Sequence, residues 1–179
     1  CAAELPVKYF SDFDDYESVT ISPDGKHFAV RAVSEGKVVL VFIRREDMTI
    51  TGGAKAPKKG HISSVRWVSN ERVVYTETQD NGYLASPIGT DELHAINYDG
   101  SKNQTIFSDN AGFGIINLLP DEEDYILVAA YPYINLRSQS SRDLGNHTEI
   151  VKVDVNWGRN RTLYRLPLRD AYPLADESG

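Results

Sequence analysis

The sequence predicts an all-β fold assembled from four-stranded antiparallel units, and three observations predict it. Short runs rich in β-branched and aromatic residues, bounded by turn residues, fill the chain from Ser18 onward. Outside the leader 1–17, no stretch carries the periodicity of an amphipathic helix. A hairpin signal, Ile21-Ser22-Pro23-Asp24-Gly25-Lys26-His27-Phe28-Ala29-Val30, recurs in phase. Asp24, Asn70 and Asp121 occupy the same turn position, roughly 45–50 residues apart. Four antiparallel strands at that period are the signature of a β-propeller blade. A sandwich or barrel also has many short strands, but lacks a phased repeat of this kind. The predicted class is therefore an all-β β-propeller fragment of about three four-stranded antiparallel blades, an incomplete ring.

The leader 1–17 carries Leu5, Val7, Tyr9, Phe10 and Phe13 and crowds Asp12, Asp14, Asp15 and Glu17 together. Several carboxylates suit a hard cation. The glycine and fixed spacing of a calcium loop are missing, so the cluster reads as a solvated loop. The first blade covers 18-55. Strands at 18–22 and 26–33 flank the Ser-Pro-Asp-Gly turn, where Pro presets φ, Asp bonds nearby backbone and Gly accepts φ > 0. A third strand at 37–44 contains the apolar run 38–43, too short to cross a bilayer and suited to a buried strand. The fourth strand is 48–51. Residues 52–60 read as a Gly/Lys/Pro loop whose Lys55, Lys58 and Lys59 are solvated.

The second blade, 62-109, has strands at 62–68 and 72–78 around Ser69-Asn70-Glu71. An insertion at 80–92 holds Gly82, Pro87 and Gly89. A strand at 93–97, the turn Tyr98-Asp99-Gly100-Ser101 and a strand at 104–107 complete the blade. The third blade, 113-167, has strands at 114–119 and 125–131 around Pro120-Asp121-Glu122-Glu123-Asp124. A long loop, 132–146, precedes strands at 148–155 and 161–166. Three blades do not close a ring, since propellers have about 4–8, and an open ring bares strand edges. The chain is therefore expected to continue, with 168-179 leading towards a further blade.

In such a unit the first and third turns lie at one end of the sheet. Insertions 80–92 and 132–146 both join second to third strands and project from the other end. Binding residues concentrate on loops held by a rigid scaffold, so that end is the expected functional face. Plain variation in loop length is the alternative.

Composition narrows the function classes. Lys+Arg 19 against Asp+Glu 26 gives a net charge of −7, which argues against nucleic acid or an anionic membrane as main partner. No transmembrane segment is apparent. Cys1 is the one cysteine, so neither an intramolecular disulfide nor a thiolate metal site can form. The opening Cys1-Ala2-Ala3-Glu4 fits a periplasmic or secreted chain cut after a signal peptide and lipid-anchored through Cys1; an arbitrary chain boundary is the other reading. His27, His61, His94 and His147 are isolated from one another, so no metal is expected, and no cofactor. Asn103-Gln104-Thr105, Asn146-His147-Thr148 and Asn160-Arg161-Thr162 match the glycosylation triplet, a pattern common by chance. The chain holds no Gly-x-Ser-x-Gly nucleophile elbow, so it is expected to carry no catalysis of its own.

One resemblance sharpens this reading. Leu5-Pro6-Val7-Lys8-Tyr9-Phe10, followed by Val19-Thr20-Ile21-Ser22-Pro23-Asp24-Gly25-Lys26-His27-Phe28-Ala29, resembles the start of bacterial prolyl oligopeptidase family serine peptidases, among them dipeptidyl and acylaminoacyl peptidases. Leu93-His94-Ala95-Ile96-Asn97-Tyr98-Asp99-Gly100 and Ile150-Val151-Lys152-Val153-Asp154-Val155-Asn156 are similar to that family's third-strand-and-turn segments. Val68-Ser69-Asn70-Glu71 departs from Ser-Pro-Asp-Gly, and that tetrapeptide also occurs in other propellers, periplasmic scaffold proteins included. The resemblance implies a propeller followed by a C-terminal α/β-hydrolase domain of the same protein, which would carry a Ser-His-Asp triad. This chain would then be a non-catalytic segment of a serine peptidase, gating access for short peptide substrates. Tyr83, Tyr131, Tyr133 and Arg137, in or beside the insertions, are the substrate-facing or interdomain candidates. Tyr offers a rigid surface with a polar tip and Arg pairs with a carboxylate; simple packing or solvation is the alternative for each. The alternative function is a non-enzymatic β-propeller that binds protein or glycan ligands as a scaffold module.

Overall fold

The computed structural model describes Phe13 and residues 15–57, 60–80, 82, 87–109, 112–131, 147–167 and 173–174. Twelve strands run through them: β1 (Asp15–Ile21), β2 (His27–Ser34), β3 (Lys37–Arg44), β4 (Ile50–Lys55), β5 (Gly60–Trp67), β6 (Arg72–Gln79), β7 (Ile88–Asn97), β8 (Gln104–Ser108), β9 (Phe113–Asn117), β10 (Tyr125–Ala130), β11 (Glu149–Asp154) and β12 (Asn160–Arg165). No helix occurs among the described residues. The strands form three four-stranded sheets in sequential order, β1-β2-β3-β4, β5-β6-β7-β8 and β9-β10-β11-β12. Neighbours run antiparallel, as the β1/β2, β5/β6 and β10/β11 registers show. The chain is thus all-β, built of three four-stranded antiparallel blades. It divides into two units, Cys1–Thr90 with His94–Gln104, and Asp91–Leu93 with Thr105–Gly179.

The first turn forms because its polar side chains satisfy the backbone that the turn frees. Ser22, almost fully buried, accepts bonds on Oγ from the N–H groups of Lys26 (3.2 Å) and His27 (3.0 Å) and donates its own proton to Asp24 Oδ1 (2.7 Å). Gly25 sits at φ +71°, the left-handed region that a side chain disfavours. The Ser22 hydroxyl and the Lys26 N–H hold the Asp24 carboxyl down at about 2 against the usual 3.8. The second sheet lacks the Ser-Pro-Asp-Gly tetrapeptide but keeps its device: Ser69 Oγ accepts the N–H groups of Glu71 (3.3 Å) and Arg72 (3.1 Å). A second device closes the hairpin between third and fourth strands. Asp47, Asp99 and Asp154 each accept the N–H of the residue two positions on, Thr49, Ser101 and Asn156, at 3.2, 2.8 and 2.8 Å. These are Asx turns, in which a short acidic side chain replaces a backbone acceptor.

In the first unit, β3 is buried on both faces along 38–43, as its unbroken apolar run predicts. Leu40 and Phe42 face a core that includes Ala29, Ile62, Val73 and Ile96, with Phe42 edge-on to Trp67 at 5.8 Å. Val39, Val41 and Ile43 face the opposite side with Val30 and Ala32. In the second unit, Ile126 and Val128 of β10 and Val153 of β11 are fully buried, and Phe107 meets Phe113 edge-to-face at 5.6 Å.

Three boundaries differ from the sequence reading by three residues or more. β1 begins at Asp15, inside the acidic end of the leader, because Glu17 finds an ion-pair partner in Arg31 on β2. β4 runs on through Gly52 and Gly53 to Lys55, where a loop was expected. A Cβ on Gly53 would overlap the Leu40 carbonyl, and one on Gly52 would overlap the Asp99–Gly100 peptide. Here glycine marks close backbone approach within a strand and not a loop. β7 begins at Ile88, so the last five residues of the expected 80–92 insertion are strand.

Candidate functional site

β6 supplies the polar side chains of the site. Side chains alternate across a strand, so Tyr75 and Glu77 follow Val73 onto one face of the sheet. Tyr75 belongs to the first unit's core, yet Glu77 beside it is only 7% exposed. From β7, the His94 ring stacks on Tyr75 with centroids 5.0 Å apart, and His94 Nε2 lies 4.0 Å from Glu77 Oε1. Tyr75 donates its phenolic proton to Asn103 Oδ1 at 2.9 Å. Burial pushes the Tyr75 phenol above its usual value; the Asn103 bond opposes this and the Glu77 charge adds to it. The phenol therefore stays protonated as a donor at neutral pH. Thr90, two residues into β7, donates to the Glu77 carbonyl at 3.3 Å, tying the entry of β7 to the exit of β6. His61, on β5, reaches Asp80 just past β6 (3.3 Å to Oδ1) and accepts the Val38 N–H on Nδ1 (3.2 Å).

Glu77, Thr90, His61 and Asp80 lie towards the passage from β6 to β7, the end from which the 80–92 insertion was expected to project, whereas Tyr75 lies mid-strand and its hydroxyl turns to Asn103 beyond β7. An acid, an imidazole and a phenol thus lie side by side within the sheet, the acid and the phenol buried and the phenol proton already given to Asn103. Among the described residues no group of three or more His, Cys, Asp or Glu side chains is placed to hold a metal ion.

Of the four residues singled out by sequence, Tyr83, Tyr133 and Arg137 lie outside the described residues. Tyr131 follows β10 directly. Its N–H donates to the Gly112 carbonyl at 3.1 Å, and its ring tip lies over Gly114, where a Cβ would stand 2.7 Å from the Tyr131 hydroxyl oxygen. The sequence reading singles out neither Tyr75 nor Glu77 and takes His94 only as an isolated histidine. The available signal was a glutamate continuing the apolar alternation Val73, Tyr75 on a strand.

No family model matches the sequence, and no curated protein matches it. Solved structures do. One is a prolyl endopeptidase, similar over 87% of this chain at a TM-score of 0.59 and 12% identity. This chain spans 23% of that protein's length. The likeness is one of fold. Another is a conserved lipoprotein from Clostridium novyi NT, similar over 82% of this chain and 91% of its own, at a TM-score of 0.51 and 11% identity. Among the described residues, no helix is long and apolar enough to cross a membrane.

Proposed function

We propose that this chain is the propeller segment of a serine peptidase of the prolyl oligopeptidase family, which screens short peptides and contacts an α/β-hydrolase domain of the same protein. The observation that carries the reading is the fold shared with under a quarter of a prolyl endopeptidase over most of this chain. The leader joined to the Ser22-Pro23-Asp24-Gly25 hairpin, which resembles the start of that family, supports it independently. In this reading the nucleophile, its base and the orienting acid lie beyond residue 179. The β6–β7 end, with Glu77, His61 and Asp80 near it, faces the hydrolase domain, and Tyr83, Tyr131, Tyr133 and Arg137 line the path to it. The protein resides in the periplasm or outside the cell, anchored by a lipid on Cys1.

The test is the reading frame past residue 179 together with a fluorophosphonate label on the intact protein. The expected result is a further roughly 250 residues of α/β pattern with a labelled serine in Gly-x-Ser-x-Gly. A frame that stops after the last blade, or an intact protein that takes no label, overturns it. The second reading is a non-enzymatic scaffold that binds protein or glycan ligands. The clostridial lipoprotein favours it, because this chain matches nearly all of that one.

A further inference from the structure

We propose that the first sheet holds an oxyanion site at its short-turn end, taking a carboxylate or phosphate group of a small ligand between the β1–β2 and β3–β4 turns. A cleft of about 440 Å³ opens there, walled by Lys26, His27, Arg44, Arg45 and Glu46, with Tyr98 from the hairpin after β7. It lies at the opposite end of its sheet from the β2–β3 turn, and it shares no residue with the Tyr75–Glu77–His94 group.

The cations of the wall are not equivalent. Lys26 pairs with Asp24 at 3.2 Å and Arg44 with Asp47 at 3.0 Å, so both already have carboxylates. Arg45 has none among the described residues. One Nη1–H reaches the Gly25 carbonyl at 3.3 Å, which anchors the side chain and leaves most of its donor fork open. That planar fork matches two oxygens of a carboxylate or phosphate.

His27 gives the second, independent observation. The residue is 9% exposed, and its Nδ1 is buried with no hydrogen-bond partner. Its ring stacks on Tyr98 with centroids 4.0 Å apart and planes 19° from parallel, while its N–H is held by Ser22 Oγ. Buried polar atoms are nearly always paired, and an unpaired one is costly. An anion drawn in by Arg45 would sit against the His27–Tyr98 stack that walls the cleft. Glu46 is the single carboxylate of the wall and opposes the anion.

Binding is read from the His27 ring resonances of the full chain with ¹⁵N-labelled histidine, assigned by their loss in His27→Gln. Inorganic phosphate and acetate are titrated separately at low ionic strength. The expected result is a saturable His27 shift with at least one of them, the tighter identifying phosphate or carboxylate as the preferred group. Arg45→Gln should weaken binding roughly ten- to hundredfold, the worth of a charge-assisted hydrogen bond. Glu46→Gln should tighten it, and added salt should weaken it. No saturable shift with either anion, or the same midpoint in Arg45→Gln as in the parent, overturns the proposal. Glu46→Gln, in which Arg45 is untouched, reads the same electrostatics with the opposite sign; weaker binding there overturns it as well.

Discussion

The first and third sheets have the same strand order, yet they spend their sequence differently. In the first, the outermost strand β4 is pressed so closely against its surroundings that glycine occupies two successive positions. In the third, the outermost strand β12 is exposed along its whole length, with Leu163 and Tyr164 turned to solvent and Glu149 gripping Thr162 (2.8 Å) and Arg165 (2.7 Å) across the ladder. Their first turns differ as well. Ser22 and Asp24 bond inward in the first sheet, whereas Asp121 in the third is exposed and the turn closes through the Glu122 N–H to the Leu119 carbonyl at 2.8 Å. The lesson is that strand order comes from the meander, while the tolerance of each position comes from what lies against it.

Four tests would break or sharpen that contrast. The largest effect is expected at Gly53→Val, where the new side chain meets the Leu40 backbone; overpacking against atoms that cannot yield costs about 3 kcal/mol. Chemical denaturation would show it, and parental stability would mean that β4 is not pressed as described. Next comes Ser22→Ala, which strips the buried His27 N–H of its acceptor and costs about 2 kcal/mol. At the third sheet's first turn, where Asp121 is exposed, Asp121→Ala should stay within about 0.5 kcal/mol. Equal losses at the two turns would erase the distinction.

The third concerns pH. Asp24 has a folded value of about 2 against the ordinary 3.8, so its stabilisation is complete above pH 3.8 and is lost as pH falls towards 2. Asp24→Asn retains an acceptor for Lys26 but not the charge. Its melting temperature should lie below the parent's above pH 3.8, and the two curves should converge on acidification. A gap that is constant with pH would assign the effect to shape alone. The smallest effect is expected on β12, where Leu163→Thr and Tyr164→Thr should each shift stability by about 0.5 kcal/mol or less. A loss of several times that amount would show that β12 is covered in the native protein.

The strands were legible where a local pattern decides them. The apolar run at 38–43 gave β3, and Pro23, Asp24 and Gly25 gave the first hairpin, because turn chemistry acts over four residues. The strand through Gly52 and Gly53 was not legible: its composition is that of a loop, and only the approach of the Leu40 carbonyl explains it. The start of β7 was hidden for a similar reason, since Gly89 and Asp91 are weak strand formers. The polar group at Tyr75, Glu77 and His94 could be half seen, as a glutamate continuing an apolar alternation.

Sequence by itself determined the all-β class, the antiparallel hairpins and the end of each sheet at which the short turns lie, because periodicity and turn chemistry are local. Only the tertiary structure decided which polar side chains are buried together. Glu77 and His94 lie 17 positions apart in the chain, and His27 and Tyr98 lie 71 apart. Nothing in the local pattern of either partner encodes the other; they meet because the sheets form and pack, and the cost of burying each then depends on its neighbour.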